Sequence, residues 1–104
     1  MRYSSDYYAK LEKRYPAVAK SFNRLAADCS AAGPLDKKTQ HLIKLGVAIG
    51  IGSEGDIQNL SMQALADGVT PDELRQAILL SVTTAGFPAM IASMQLAEEV
   101  IAKK

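Results

Sequence analysis

The stretch ALADGVTPDEL, residues 64–74, holds the end of one helix and the start of the next. Ala64-Leu65-Ala66 closes an apolar-periodic run that stops at Gly68, the residue type best suited to a helix exit. Thr70-Pro71-Asp72-Glu73 then reads as a capping box, in which a threonine and a glutamate three positions on satisfy each other's backbone amides, with proline at the first helical position. The link between the two helices is short, and short links favour antiparallel helical neighbours.

Working outward, the helix before this link runs from Ser53 to Asp67, and the one before that from Lys37 to about Gly50 with Asp36 as its N-cap. Beyond its first turn this earlier helix carries polar residues only at Gln40, His41 and Lys44, on one arc, which predicts the most central position in the fold. After the link, Leu74, Ala77, Ile78 and Val82 carry a fifth helix to Gly86. Pro88 opens a last one, to Lys103, with Ile91, Met94, Ala97, Val100 and Ile101 as its apolar stripe. Upstream, residues 5–32 read as two helical pieces parted by Pro16 and stopped by Gly33-Pro34, with Tyr7, Leu11, Tyr15, Val18, Phe22 and Leu25 on one face. No stretch alternates with period two for long, so strands have no foothold. The sequence predicts an all-α fold of five or six helices: one domain overall, with an N-terminal helical segment over 1–34 and a core over 35–104.

A chain of 104 residues is large enough to fold without disulfides or metal. Its 48% hydrophobic and 22% charged content is that of an ordinary globular domain. The N-terminus MRYSSDYY lacks the apolar core of a secretion signal and Cys29 is the sole cysteine, so the expectation is a cytoplasmic protein. LIKLGVAIGIG, residues 42–52, is about half the length a bilayer requires and contains Lys44; it reads as a buried helix and not a membrane span. Residues 1–52 hold nine Lys/Arg against four acids, and residues 53–104 hold three against seven. With net charge +1 and no reading motif, that asymmetry fits surfaces that meet within the fold or between subunits better than a nucleic-acid face. Tyr3, Tyr7, Tyr8 and Tyr15 among Lys10, Lys13 and Arg14 could stack on bases, but helical spacing separates most of the rings from the charges and favours packing. The G-x-x-x-G of GVAIGIG follows no strand, so it points to close helix packing and not to a dinucleotide cofactor. Met62, Met90 and Met94 suit a core, a subunit interface or an adaptable pocket. No metal ligands stand at useful spacing.

From LDKKT at Leu35, through ALADGVTPDEL and the GFPA turn, to EEV at Val100, the sequence resembles the core domain of the carboxymuconolactone decarboxylase and alkylhydroperoxidase D superfamily. The resemblance implies a small oligomeric helical fold, a trimer or a hexamer of three dimers, with a pocket between the third and fourth helices near a subunit boundary. In the redox branch it implies Cys-x-x-Cys-x-x-x-His on the fourth helix and a glutamate on the third. Mapped here, the cysteines fall on Ser53 and Asp56, the histidine on Leu60 and the glutamate on His41, and all four differ. A dithiol cycle needs two thiols that can approach each other, and one cysteine in another helix cannot supply them. The decarboxylase branch, closer in the stretch SVTTAGFPAMIASMQLAEEV, lacks the thiol pair but keeps a histidine where Leu60 stands, and leucine cannot transfer protons.

Two readings of the remaining residues stand side by side. Ser53 with Asp56 three positions later fits an ordinary helix start, and an acid suits the positive helix end. Glu54 and Asp56 would also repel an anion docking there. His41 fits a packed or surface histidine. Alternatively, His41 faces Asp56 across a cleft as an acid-base pair, with Asp56 orienting the ring, Ser53 or Asn59 donating hydrogen bonds to a small organic substrate, and Leu60 also at the substrate-binding site. The function is then either a non-redox homo-oligomer that binds a small molecule or serves as a scaffold, or a proton-transfer enzyme of the lactone or decarboxylation kind, with the peroxidase or peroxiredoxin-type activity that the resemblance names ranked after both. No cofactor, metal, nucleic acid or membrane is expected.

Overall fold

The computed structural model describes residues 5–103, the side chains of Ser5 and Asp6 excepted; the expectation for Tyr3 lies outside them. Among the described residues the order is α1 (Ser5–Arg14), α2 (Pro16–Ala31), α3 (Lys37–Ile51), α4 (Glu54–Ala66), α5 (Pro71–Leu80), a 3-10 turn (Ser81–Thr83) and α6 (Phe87–Ala102). The chain divides into two compact units: the α1–α2 pair before Asp36 and the four-helix core from Asp36 onward.

In the first unit Tyr15 leaves helical geometry at φ −131°, as a residue before proline should, and Pro16 restarts the chain as α2. The Tyr8 hydroxyl donates to Asn23 Oδ1 at 2.8 Å and ties the two helices together. The face expected to be apolar is present but uncovered: Val18, Phe22 and Leu25 are all about 60% exposed. Two short helices have too little surface of their own to bury such a stripe.

The second unit is built by its caps. Asp36 Oδ1 accepts from the Thr39 amide at 2.8 Å and starts α3. Gly52 ends it in the left-handed region at φ 71°, a conformation an L-residue enters only with strain. That bend sends α4 back along α3. At the far end of α4, Gly68 takes φ 96°, the amide of buried Val69 reaches back to Ala64 O at 2.9 Å, and the Thr70–Glu73 capping box forms in both directions, at 3.1 and 2.8 Å. The core that results holds Leu45, Ile49, Ile57, Leu74, Ile78, Met90 and Ala97, with Leu45, Leu74 and Ile78 fully buried. Arg75 on α5 clamps Glu98 on α6 with two parallel bonds of 2.7 and 3.0 Å, and its third nitrogen donates to Asp72 at 2.9 Å.

α5 is shorter than its apolar spacing predicted. It stops at Leu80 and tightens into the 3-10 turn instead of reaching Gly86. Hydroxyls do this: Ser81 Oγ donates to Ile78 O at 2.6 Å, and Thr83 and Thr84 donate to Leu80 O and Ser81 O at 3.3 Å. Such bonds compete for the carbonyls that a continuing α-helix would use.

Candidate functional site

His41 lies one turn into α3, on the face that also carries buried Leu45, Ala48 and Ile49, and is itself only 9% exposed. Its Nε2 sits 2.6 Å from Oδ2 of Asp67, the residue that caps the C-terminus of α4. The bond from His41 holds the Asp67 carboxyl below the usual carboxylate range, with Lys37 adding to the effect. An ionised carboxylate can only accept, so Nε2 carries the hydrogen that joins them. Nδ1, the other ring nitrogen, is buried and has no protein partner. In the neutral ring that atom is a lone pair, held in place by the bond at the opposite nitrogen.

The expected pairing of His41 with Asp56 does not occur. His41 stands eleven residues before the Gly52 bend, so in the antiparallel α3–α4 pair its neighbours lie well past the bend, where Asp67 is, and not at Asp56 four residues beyond it. The eleven residues from Asp56 to Asp67 correspond to about 16 Å of helix axis. Asp56 belongs to the opposite end of the pair, where its Oδ2 accepts from Ser53 Oγ at 2.7 Å. Ser53 occupies the N-cap position of α4, as its sequence context predicted, but its hydroxyl caps no backbone amide. Ser53 is buried, Asp56 and Asn59 are half-buried, and Leu60 packs against the core.

Two residues escaped the sequence reading. Asp67 reads in the sequence only as a helix end, and no local signal there names His41 as its partner. Ser61, on the core-facing side of α4 with Ile57 and Ala64, is fully buried, and its Oγ has no protein partner. The buried Ser93 and Ser81, by contrast, bond back to carbonyls of their own chain segments. The α3–α4 pair thus contains an imidazole bonded at Nε2 to Asp67, with Nδ1 buried and without a protein partner, and a buried hydroxyl that likewise has none. Such groups can orient a small polar molecule, and the imidazole can accept a proton with Asp67 stabilising the resulting cation.

Cys29, the one cysteine of the sequence, is exposed on α2 in the first unit. Among the described residues no group of three or more His, Cys, Asp or Glu side chains could hold a metal ion, and no helix is long and apolar enough to cross a membrane.

Comparison with known proteins agrees with this architecture. A crystal structure of apo-lpg0406, a carboxymuconolactone decarboxylase family protein from Legionella pneumophila, superposes with a TM-score of 0.83 over 94% of this chain and 88% of that one, at 26% identity. A 4-carboxymuconolactone decarboxylase from Acinetobacter baylyi is 36% identical over 66 residues, which are 64% of this chain and 49% of that protein. The chain spans about half the length of that curated relative. The sequence pattern of the carboxymuconolactone decarboxylase family matches residues 16–99, taking in α2 and nearly all of the four-helix core. The chain therefore belongs to the carboxymuconolactone decarboxylase family.

Proposed function

We propose that the protein is a non-redox member of its family that binds a small cyclic organic acid at the α3–α4 pair, with His41 as the orienting group. The observation that carries this reading is the buried His41 ring, fixed at Nε2 by Asp67 and left without a protein partner at Nδ1. A buried acceptor without a donor is costly, and a hydroxyl on the ligand would satisfy it. The name of the Acinetobacter relative suggests carboxylated lactones as the first class to try. The lone cysteine argues against hydroperoxide reduction.

A second reading is favoured by the same contact: that His41 moves a proton during lactone or decarboxylation chemistry. In a decarboxylation the carboxylate departs as CO2 and a proton takes its place on carbon. His41 Nδ1 can carry that proton while Asp67 stabilises the imidazolium. Asp56 has no part in this version, because it stands at the other end of α4.

The experiment is a thermal-shift screen of carboxylated and uncarboxylated lactones against the whole protein, followed by assay of CO2 release. A ligand at a hundredfold excess over its Kd should add about 2.7 kcal/mol of stability. Binding lost in His41→Gln without turnover in the parent supports a binding protein, and binding with CO2 release supports the enzyme. If no member of the class binds, the ligand reading fails and a scaffold remains. Hydroperoxide turnover sustained by a dithiol donor and surviving Cys29→Ser would refute the non-redox assignment.

A further inference from the structure

The tyrosines of α1 were expected to stand apart from its cations, yet the structure gathers two of each on one stripe. Tyr7, Lys10, Leu11, Arg14 and Tyr15 line a single hollow of about 210 Å³. Their spacing explains it: counted from Tyr7 they fall at i+3, i+4, i+7 and i+8, the positions that share one face of a helix. Tyr8 stands off this stripe and spends its hydroxyl on Asn23. The packing expected of the other two rings does not occur, since Tyr7 is 65% and Tyr15 52% exposed. Arg14 carries its guanidinium carbon 6.0 Å from the centre of the Tyr15 ring, within cation–π reach, which steadies that charge at the edge of the hollow. Among the described residues the walls hold two cations and no carboxylate.

We infer that this hollow binds a small aromatic carboxylate: one ring with its acid group attached. Size, ring spacing and charge select that occupant. Drug-sized ligands fill roughly 300–1,000 Å³, so 210 Å³ takes a single ring and a short arm. Tyr7 and Tyr15 stand eight residues apart, about 12 Å along the helix axis. A ring lying on half-buried Leu11 between them is then about 6 Å from each, inside the range of roughly 4.5–7 Å at which aromatic rings pair. Lys10 and Arg14 are four residues apart, close enough for both to reach one carboxylate. The guanidinium offers two parallel N–H donors and the ammonium a further charge. The hollow also lies in the half of the sequence that holds nine Lys/Arg against four acids, which favours the approach of an anion. This inference is independent of the His41 reading, because every residue it uses belongs to the α1–α2 unit.

The test is a titration of the whole protein with benzoate, read by carbon-13 NMR of the tyrosine rings, assigned through Tyr7→Phe and Tyr15→Phe. The signals of Tyr7 and Tyr15 should move together. Benzamide keeps the ring without the charge and acetate the charge without the ring, and each should bind at least about fivefold more weakly. That comparison uses the parent protein alone and holds whatever a substitution does to folding. Arg14→Gln and Lys10→Gln, both at exposed positions, should weaken benzoate by a similar factor, and added salt should weaken it in the parent. His41→Gln should leave it unchanged, which separates this site from the α3–α4 pair. Tyrosine signals that ignore benzoate overturn the inference. So does acetate or benzamide binding as tightly as benzoate, or benzoate binding indifferent to both substitutions. A short single-stranded oligonucleotide that shifts the same rings at concentrations where benzoate does not also overturns it, since the hollow would then read a polymer.

Discussion

Replacing Ser61 with alanine should make the protein more stable. The hydroxyl is fully buried on α4 and has no protein partner, so in folding it gives up water and gains nothing in exchange. An unpaired buried hydroxyl costs about 1–3 kcal/mol. Alanine also exceeds serine in helix propensity by roughly half a kcal/mol. Against this, loss of one oxygen leaves a gap smaller than a methyl group and forfeits under about 1 kcal/mol of packing. The net expectation is a gain of about 1 kcal/mol, or roughly 4–8 °C in Tm for a domain of this size. Ser93→Ala and Ser81→Ala serve as controls: those hydroxyls are bonded, to Ala89 O at 2.7 Å and Ile78 O at 2.6 Å, so their removal should cost what alanine's propensity returns. Urea denaturation followed by circular dichroism, at one protein concentration, compares all three. If Ser61→Ala loses 1 kcal/mol or more, the hydroxyl has a partner and the reasoning is refuted. If the hydroxyl is kept for a ligand, the stabilised variant should also bind more weakly.

Other perturbations test the frame around the site. Leu74→Ala empties a fully buried position in the core and should cost about 2–5 kcal/mol in a denaturant titration. Gly52→Ala forces an L-residue into φ 71° at the α3–α4 bend and should cost about 1–2 kcal/mol, although no side chain crowds the spot. Stability should also fall in acid. Thr39's amide holds Asp36 low, His41 holds Asp67, Thr70's amide holds Glu73 and Arg75 holds Glu98, so the unfolded chain takes up protons at higher pH than the folded one. Their contribution is complete above the ordinary carboxylate range, near pH 4, and is lost as pH falls through that range and below it. Urea midpoints measured from neutral pH downward should show this decline, and Asp67→Asn should make it shallower; a midpoint that rises in acid would contradict the assignment.

Most of the helical frame is legible in the residues, because its signals are local. Asp36, Gly68, Thr70 and Glu73 each act within four positions of themselves, and the structure puts them at the ends their chemistry demands, whereas the end of α3 falls at Gly52 and not at about Gly50. α5 departed from its reading because the signal there was mixed: apolar spacing continued through Val82 while Ser81, Thr83 and Thr84 offered hydroxyls that capture helical carbonyls. The α2 stripe shows a different limit, since periodicity reports that Val18, Phe22 and Leu25 share a face and says nothing of what covers it. At the site, His41 was legible as the lone histidine of a central helix, but its partner was not. Matching motif positions pointed to Asp56, whereas the packing of α4 against α3 brings His41 to Asp67, at the end of α4 far from the Gly52 bend.

The pairing of His41 with Asp67, which leaves Nδ1 open to a ligand, is the claim on which the functional reading turns. Nitrogen-15 NMR of the single imidazole reads it directly in the neutral ring. There the hydrogen should sit on Nε2 and not on Nδ1, with the Nε2 signals displaced by Asp67→Asn and left in place by Asp56→Asn. A neutral ring with its hydrogen on Nδ1, or one that answers to Asp56→Asn and ignores Asp67→Asn, would contradict the pairing.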